Sequence, residues 1–399
     1  MKRINWIVGL VGMAVILSLV LPCESAEKAP IKIGLGRDLT GSTAATGIAS
    51  SHGYLDFIDY INGKGGVQGY KIDVKMMDGK ESITEETRAF NEFRMWGAVA
   101  IYGWSTPGTT ALRESAMREK IAYFGHTCSA TCAMPKEYPY TFIFATTYTD
   151  QIISGLQYIK RQGAKNFVFL RDDIEAWKTT EKIIKNEGVA EKIGLTWLET
   201  VVEPIKATDV TSQMERCKKL NPDFIITPNT PDTYIPTLRD GIKVGIPASK
   251  IVGSTLWCMH PTIPKKLGEA AEGNIASGVF PIRGMDCGVN REIAEYAKTH
   301  PEADKWWWDA QYVQAWMQAK LFYAALDKVI KRNGGKTPED LATFRIQFKE
   351  EMEGLKGHVM GEDLPAIDMS DHKGWPAGHF YQIKGGKYLP VGDWIYVKK

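Results

Sequence analysis

The 399-residue sequence predicts an α/β protein built as two lobes, each a mainly parallel sheet flanked by helices. Three observations carry this. Short β-rich runs alternate with longer amphipathic stretches. The alternation comes in two successive series. The chain is long enough to bury two cores. Composition agrees: 44% hydrophobic and 24% charged residues are the proportions of a folded chain. Forty-nine Lys plus Arg against 47 Asp plus Glu leave a net charge of +2, with the signs interspersed. A nucleic-acid binder would show a basic stripe, and none is visible.

The elements follow in order. Lys2 and Arg3 precede an apolar run at 7–21, and Pro22 to Ala26 form a small, polar exit. This reads as a signal peptide over 1–26, too short to be a comfortable membrane span. Cys23 raises a lipid-anchored alternative, which Pro22 just before it opposes. The first series then has strands at 31–35, 70–77, 98–102 and 121–124, with helices at 52–62, 85–96 and 109–119 between them. In 52–62 the apolar residues Leu55, Ile58 and Ile61 recur at helical spacing, whereas 70–77 alternates as a strand does. A strand at 141–145 leads into the second series. That series has helices at 150–162, 175–187, 210–220 and 233–244, and strands at 167–170, 195–201, 224–227 and 251–252. A long helix is expected over 306–333, running up to Gly334 and Gly335. The end reads as an antiparallel pair, 380–383 and 388–397, around a Gly385-Gly386 turn. Six cysteines occur, and five remain if Cys23 leaves with the signal, so this is no disulfide framework.

Four segments resemble one known family, the type I periplasmic binding proteins of the branched-chain amino acid (leucine/isoleucine/valine) class. They are Ile31 to Gly36 with Leu39-Thr-Gly41, the run from Asp59 to Ile72, Asp223-Phe-Ile-Ile with Leu238-Arg-Asp-Gly, and Ala271-Glu-Gly-Asn with Ser277-Gly-Val. The second contains Asn62, Gly63, Gly65, Gly66 and Gly69, the family's "IN-x-x-GG-V-x-G" link; these glycines build a turn and touch no ligand. The resemblance implies the type I two-lobed fold with three hinge crossings, near 147–149, 277–281 and 357–360. Lobe one would hold 30–147 plus 281–357, and lobe two 149–277 plus 360–399.

Ligands of open α/β sheets bind beyond the carboxyl ends of the strands. The loop after 98–102 carries Trp104, Ser105, Thr106 and Pro107; Thr106 suits a helix cap and Pro107 the first helical position. A helix N-terminus there would attract a carboxylate. The resemblance assigns ligand contacts to Ser105, and to Thr127 and Ser129 after the next strand. Tyr148 and Asp150, Trp177, Asn229 and Thr230, Thr255 and Trp257 follow later strands, and Trp307 stands at the start of the long helix. Several Trp at such places favour an aromatic-walled pocket. Amino-acid-binding relatives place an acidic residue near Thr255; here Ser254-Thr255-Leu256-Trp257 offers no charge. Asp150 or Asp232 would have to substitute, or the ligand lacks an ammonium group.

An enzyme is not expected: G-x-S-x-G, H-E-x-x-H and P-loop motifs are missing, and Gly34-Leu-Gly36 lacks the third glycine of a dinucleotide fingerprint. No cofactor is expected. His126, Cys128 and Cys132 lack a fourth partner for a metal, so no metal is expected either. Cys128 and Cys132 form either a local disulfide or two free thiols. The resemblance implies a periplasmic monomer that hands a small carboxylate, a branched-chain or aromatic amino acid or related organic acid, to the permease subunits of an ABC importer. A ligand-sensing receptor module of the same fold is the alternative; neighbouring genes would separate the two.

Overall fold

The computed structural model describes residues 28–397. The expected signal peptide and Cys23 lie outside the described residues. Five parallel strands form the first sheet: β1 (Ile31–Arg37), β2 (Ile72–Asp78), β3 (Ala100–Tyr102), β4 (Ala122–Gly125) and β5 (Thr141–Ile143), in the order β2-β1-β3-β4-β5. The second sheet continues with β6 (Asn166–Asp172), β7 (Thr196–Glu203), β8 (Phe224–Thr227), β9 (Ile251–Gly253) and β10 (Ile275–Gly278). A short hairpin follows, β11 (Lys356–Val359) with β12 (Ala366–Asp368). Then β13 (Ala377–Lys384) and β14 (Lys387–Tyr396) join the second sheet antiparallel, in the order β14-β13-β10-β9-β8-β6-β7. This is the α/β architecture that the sequence predicts.

Both sheets are apolar on two faces because helices cover each side, as parallel sheets require. On one face of the first sheet, Ile33, Leu35 and Phe124 pack against the helices Ala44–Gly63 and Ala310–Arg332. On the other, Ile101 and Tyr123 meet Phe90, Phe93 and Leu112. The second sheet is covered likewise, by Met214, Tyr234 and Leu238 on one side and Ile152, Leu156 and Ile184 on the other. The turn from the first helix to β2 depends on Gly66, at φ 71°, where a Cβ would run into the Tyr70 carbonyl oxygen.

Three passages join the sheets, and an aromatic side chain sits at each. Phe144 follows β5, Phe280 follows β10, and Trp375 precedes β13. Their ring centroids are 5.6 Å (Phe144–Phe280), 5.4 Å (Phe280–Trp375) and 5.8 Å (Phe144–Trp375) apart. The last passage lies later than the expected 357–360. β12 and the turn after it stay with the first lobe. Ile143 and Ala145 donate backbone N–H bonds to the carbonyls of His372 (2.8 Å) and Lys373 (3.1 Å), and Ile367 and Met369 are buried in the first core. The second lobe therefore resumes near Ala377, not at residue 360. The long helix also starts later than expected, at Ala310, because Asp309 caps it by accepting from the Gln311 N–H at 2.9 Å.

Candidate ligand-binding site

A cavity of about 470 Å³ opens between the lobes, beyond the carboxyl ends of the strands. Three aromatic side chains wall it. Tyr148 opens the helix Tyr148–Arg161 at the first crossing; Trp177 and Trp257 come from the second lobe. The Trp257 indole N–H donates to the Tyr148 hydroxyl at 3.1 Å, and the Tyr148 and Trp177 rings meet edge to face at 5.2 Å. Burial raises the Tyr148 phenol well above its ordinary pKa, so it stays neutral. Around these rings stand Ser129 and seven threonines. Ser129 and Thr131 share a hydroxyl hydrogen bond of 2.8 Å. Among the described lining residues only Glu175, exposed at the rim, carries a charge.

Of the residues singled out from sequence, Ser129, Tyr148, Trp177, Thr230 and Trp257 line this one cavity. Thr127 lies just behind it. Its hydroxyl meets that of Thr106, a lining residue, at 2.6 Å and accepts from the Ser129 N–H at 3.0 Å.

The others are held elsewhere. Ser105, not Thr106, caps the helix Thr106–Arg118: its hydroxyl accepts from the Gly108 N–H at 2.9 Å and donates to Glu86. Both roles of the hydroxyl are taken, and burial pushes the Glu86 carboxyl up to about 7. Trp104 is buried, stacked on His126 at 4.5 Å, with its N–H donating to Thr43 at 2.9 Å. Asp150 accepts from the Thr147 hydroxyl (2.7 Å) in a helix-start motif. Asn229 is fully buried; its amide donates to Glu203 and accepts from the Asp172 N–H. Burial lifts the Glu203 carboxyl to about 8. Thr255 donates to the Pro228 carbonyl at 2.7 Å and is fully buried. Trp307 packs in the first core, and its N–H donates to Asn290. Asp232 lines a separate surface depression with Lys206 and Arg239.

Sequence reasoning missed one wall. Ala176, Thr179, Thr180 and Ile183 line the cavity from a single face of the helix Glu175–Asn186. Their spacing is the i, i+3, i+4, i+7 pattern of a helix face, so the signal was present. Cys128 and Cys132 are free thiols, both buried, and burial pushes Cys128 up to about 12. Among the described residues, no three His, Cys, Asp or Glu side chains gather as a metal site. No helix among them is long and apolar enough to cross a membrane.

Comparison with known proteins places this geometry. A search of curated protein sequences returns no match. Among solved structures, a branched chain amino acid ABC transporter protein from Thermus thermophilus with bound valine superposes with a TM-score of 0.76. It has 17% identity and covers 93% of this chain and 97% of its own. The fatty acid ABC transporter substrate-binding protein of Thermomonospora curvata gives 0.72 at 19% identity, covering 93% of each. A Pseudomonas fluorescens group protein described as an ABC transporter permease gives 0.77 at 20%, covering 92% of each. These likenesses establish the fold. The periplasmic binding protein family model matches residues 30–387. Two parallel-sheet lobes joined by three crossings, with a cavity between them, are thus matched along nearly the whole sequence, and the chain belongs to the periplasmic binding protein family.

Proposed function

We propose that this protein is an extracytoplasmic solute-binding component of an ABC importer, capturing a small carboxylate with an apolar body and presenting it to the permease. The carrying observation is the cavity between the lobes, with Trp177, Trp257 and Tyr148 as walls and hydroxyls around them. Aromatic faces shed water from an apolar body, while hydroxyls and backbone N–H groups hold an anion without a counter-cation. Valine in the Thermus protein and the fatty acid class of the Thermomonospora protein are both carboxylates on apolar bodies, which supports this class. Binding is the proposed role, and it is the role that the Thermomonospora substrate-binding protein carries in its name. Glu175 at the rim is the carboxylate closest to hand for an ammonium group, which keeps branched-chain and aromatic amino acids beside their des-amino analogues.

A thermal-shift screen of amino acids and aromatic or aliphatic acids tests this, followed by calorimetry of each hit against its methyl ester. A binder should raise the melting temperature and lose most of its affinity on esterification. If the esters or neutral sugars bind as well as the acids, the carboxylate reading fails.

A further inference from the structure

The first lobe buries an arginine with no carboxylate beside it. Arg37, at the end of β1, is fully buried. Its Nη1 donates to the carbonyls of Gly36 (2.8 Å) and Gly103 (3.2 Å), while Nε and Nη2 have no hydrogen-bond partner. The guanidinium lies 4.4 Å from the centre of the Tyr102 ring and 5.8 Å from that of Tyr54. Burial lowers its pKa to about 10, and the groups acting back on its charge are Tyr102, Tyr54 and Tyr123. It is therefore a cation at neutral pH.

The nearby acids are committed elsewhere. Asp38 accepts from the backbone N–H groups of Gly41 and Thr43, and Glu86 faces Ser105. His126 cannot balance the charge: it is neutral, drawn down to about 3 by burial and then by Arg37 itself.

Other buried hydroxyls around this layer also have no partner, those of Ser50 and Tyr54, and the Gln318 amide lies beside them. They belong to one neighbourhood. Ser50 and Tyr54 are one turn apart on the helix Ala44–Gly63, so they share a face. Tyr54 packs edge to face on Phe322 at 6.1 Å and lies 5.8 Å from Tyr102. Gln318 sits one turn before Phe322 on the helix Ala310–Arg332, and its amide acts on both Tyr102 and His126. A guanidinium edge, two hydroxyls and an amide form a set rich in donors, complementary to negative charge.

We propose that Arg37, Ser50, Tyr54 and Gln318 form a buried site for a small monoatomic anion of the chloride class, within the first lobe and separate from the ligand cavity. The Trp104–His126 stack, with planes 6° apart, covers the guanidinium from the side of the loops, with Trp104 5.6 Å from it. Arg37 is 0% exposed, which suits a halide better than an oxyanion or the carboxylate of a transported ligand. Binding is structural: the ion neutralises a charge that the fold otherwise buries alone.

The full chain, exchanged into sodium gluconate, should gain melting temperature saturably on addition of sodium chloride or bromide at matched ionic strength. Bromide-soaked crystals should show an anomalous peak within hydrogen-bond reach of Arg37 Nε and Nη2. Ser50→Ala and Gln318→Leu should each raise the half-saturating halide concentration about ten-fold, the usual loss for one bond to a charged group. Arg37→Met should lose the halide response and melt no lower than the parent in gluconate, since the uncompensated charge is gone. Should Arg37→Met fail to fold, the two milder variants and the bromide map still decide. Coincident melting curves in halide and gluconate, or bromide found only at the surface, overturn the proposal.

Discussion

A hydroxyl can serve a ligand only if the fold has not already used it. Ser105 and Ser129 follow neighbouring strands and look alike in sequence, yet the first is spent on Gly108 and Glu86 while the second lines the cavity. Ser129→Ala should therefore weaken ligand binding by roughly ten- to a hundred-fold, read by calorimetry. Ser105→Ala should leave affinity unchanged and cost about 1 kcal/mol of stability as a lost cap, read by denaturant unfolding. The opposite pattern would relocate the anion-binding surface to the cap. This pair also shows where the site was legible. The rule that ligands meet the loops after parallel strands pointed to loops that line the cavity. It could not say which way each side chain turns, because the partner that claims Ser105 is Glu86, 19 residues earlier in the chain. Asn229 was misread for the same reason: Glu203, 26 residues away, holds it inside the second lobe. That buried carboxyl makes its own forecast. With its folded pKa raised to about 8, Glu203 contributes stability below its unfolded pKa and loses it as pH rises through the folded value. The parent should thus lose melting temperature relative to Glu203→Gln between about pH 5 and about pH 9. A constant difference across that range would mean that Glu203 is ionised throughout.

At the level of elements, one close joint is between the helices Ala44–Gly63 and Ala310–Arg332, which meet backbone to backbone at Gly53. A Cβ there would strike the Tyr312 carbonyl oxygen. Gly53→Ala should cost about 1–3 kcal/mol, the usual result of forcing atoms into a packed contact. Thermal denaturation would show it; a variant as stable as the parent would mean that the helices separate easily. Periodicity made most strands and helices readable, because alternating and helical apolar patterns follow directly from burial on one side. The hairpin of β11 and β12 escaped that reading. Its strands are four and three residues long, too short for a pattern to establish itself. The turn after it ties it to the first lobe: the His372 and Lys373 carbonyls accept from Ile143 and Ala145, more than 200 residues earlier in sequence. The helix Leu341–Glu353 did carry its signal, in Leu341, Phe344, Phe348 and Met352, and the Asp340 side chain caps it.

For the molecule as a whole, the proposed function requires the lobes to move. Phe144, Phe280 and Trp375 place three crossings side by side, and the cavity takes residues from both lobes. A ligand that touches both lobes favours the closed state. Small-angle scattering should show a smaller radius of gyration at saturating ligand; an unchanged radius would rule out closure. The interleaved chain has a further result, for the order of assembly during synthesis. The first sheet is complete at Ile143, but the helix that seals one of its faces begins at Ala310, after the second lobe's parallel strands have all been made. The first lobe cannot close its core on the strength of the first 150 or so residues. A nascent chain with an unsealed first core is slow to commit to its fold, which would suit export in the unfolded state if the proposed extracytoplasmic role holds.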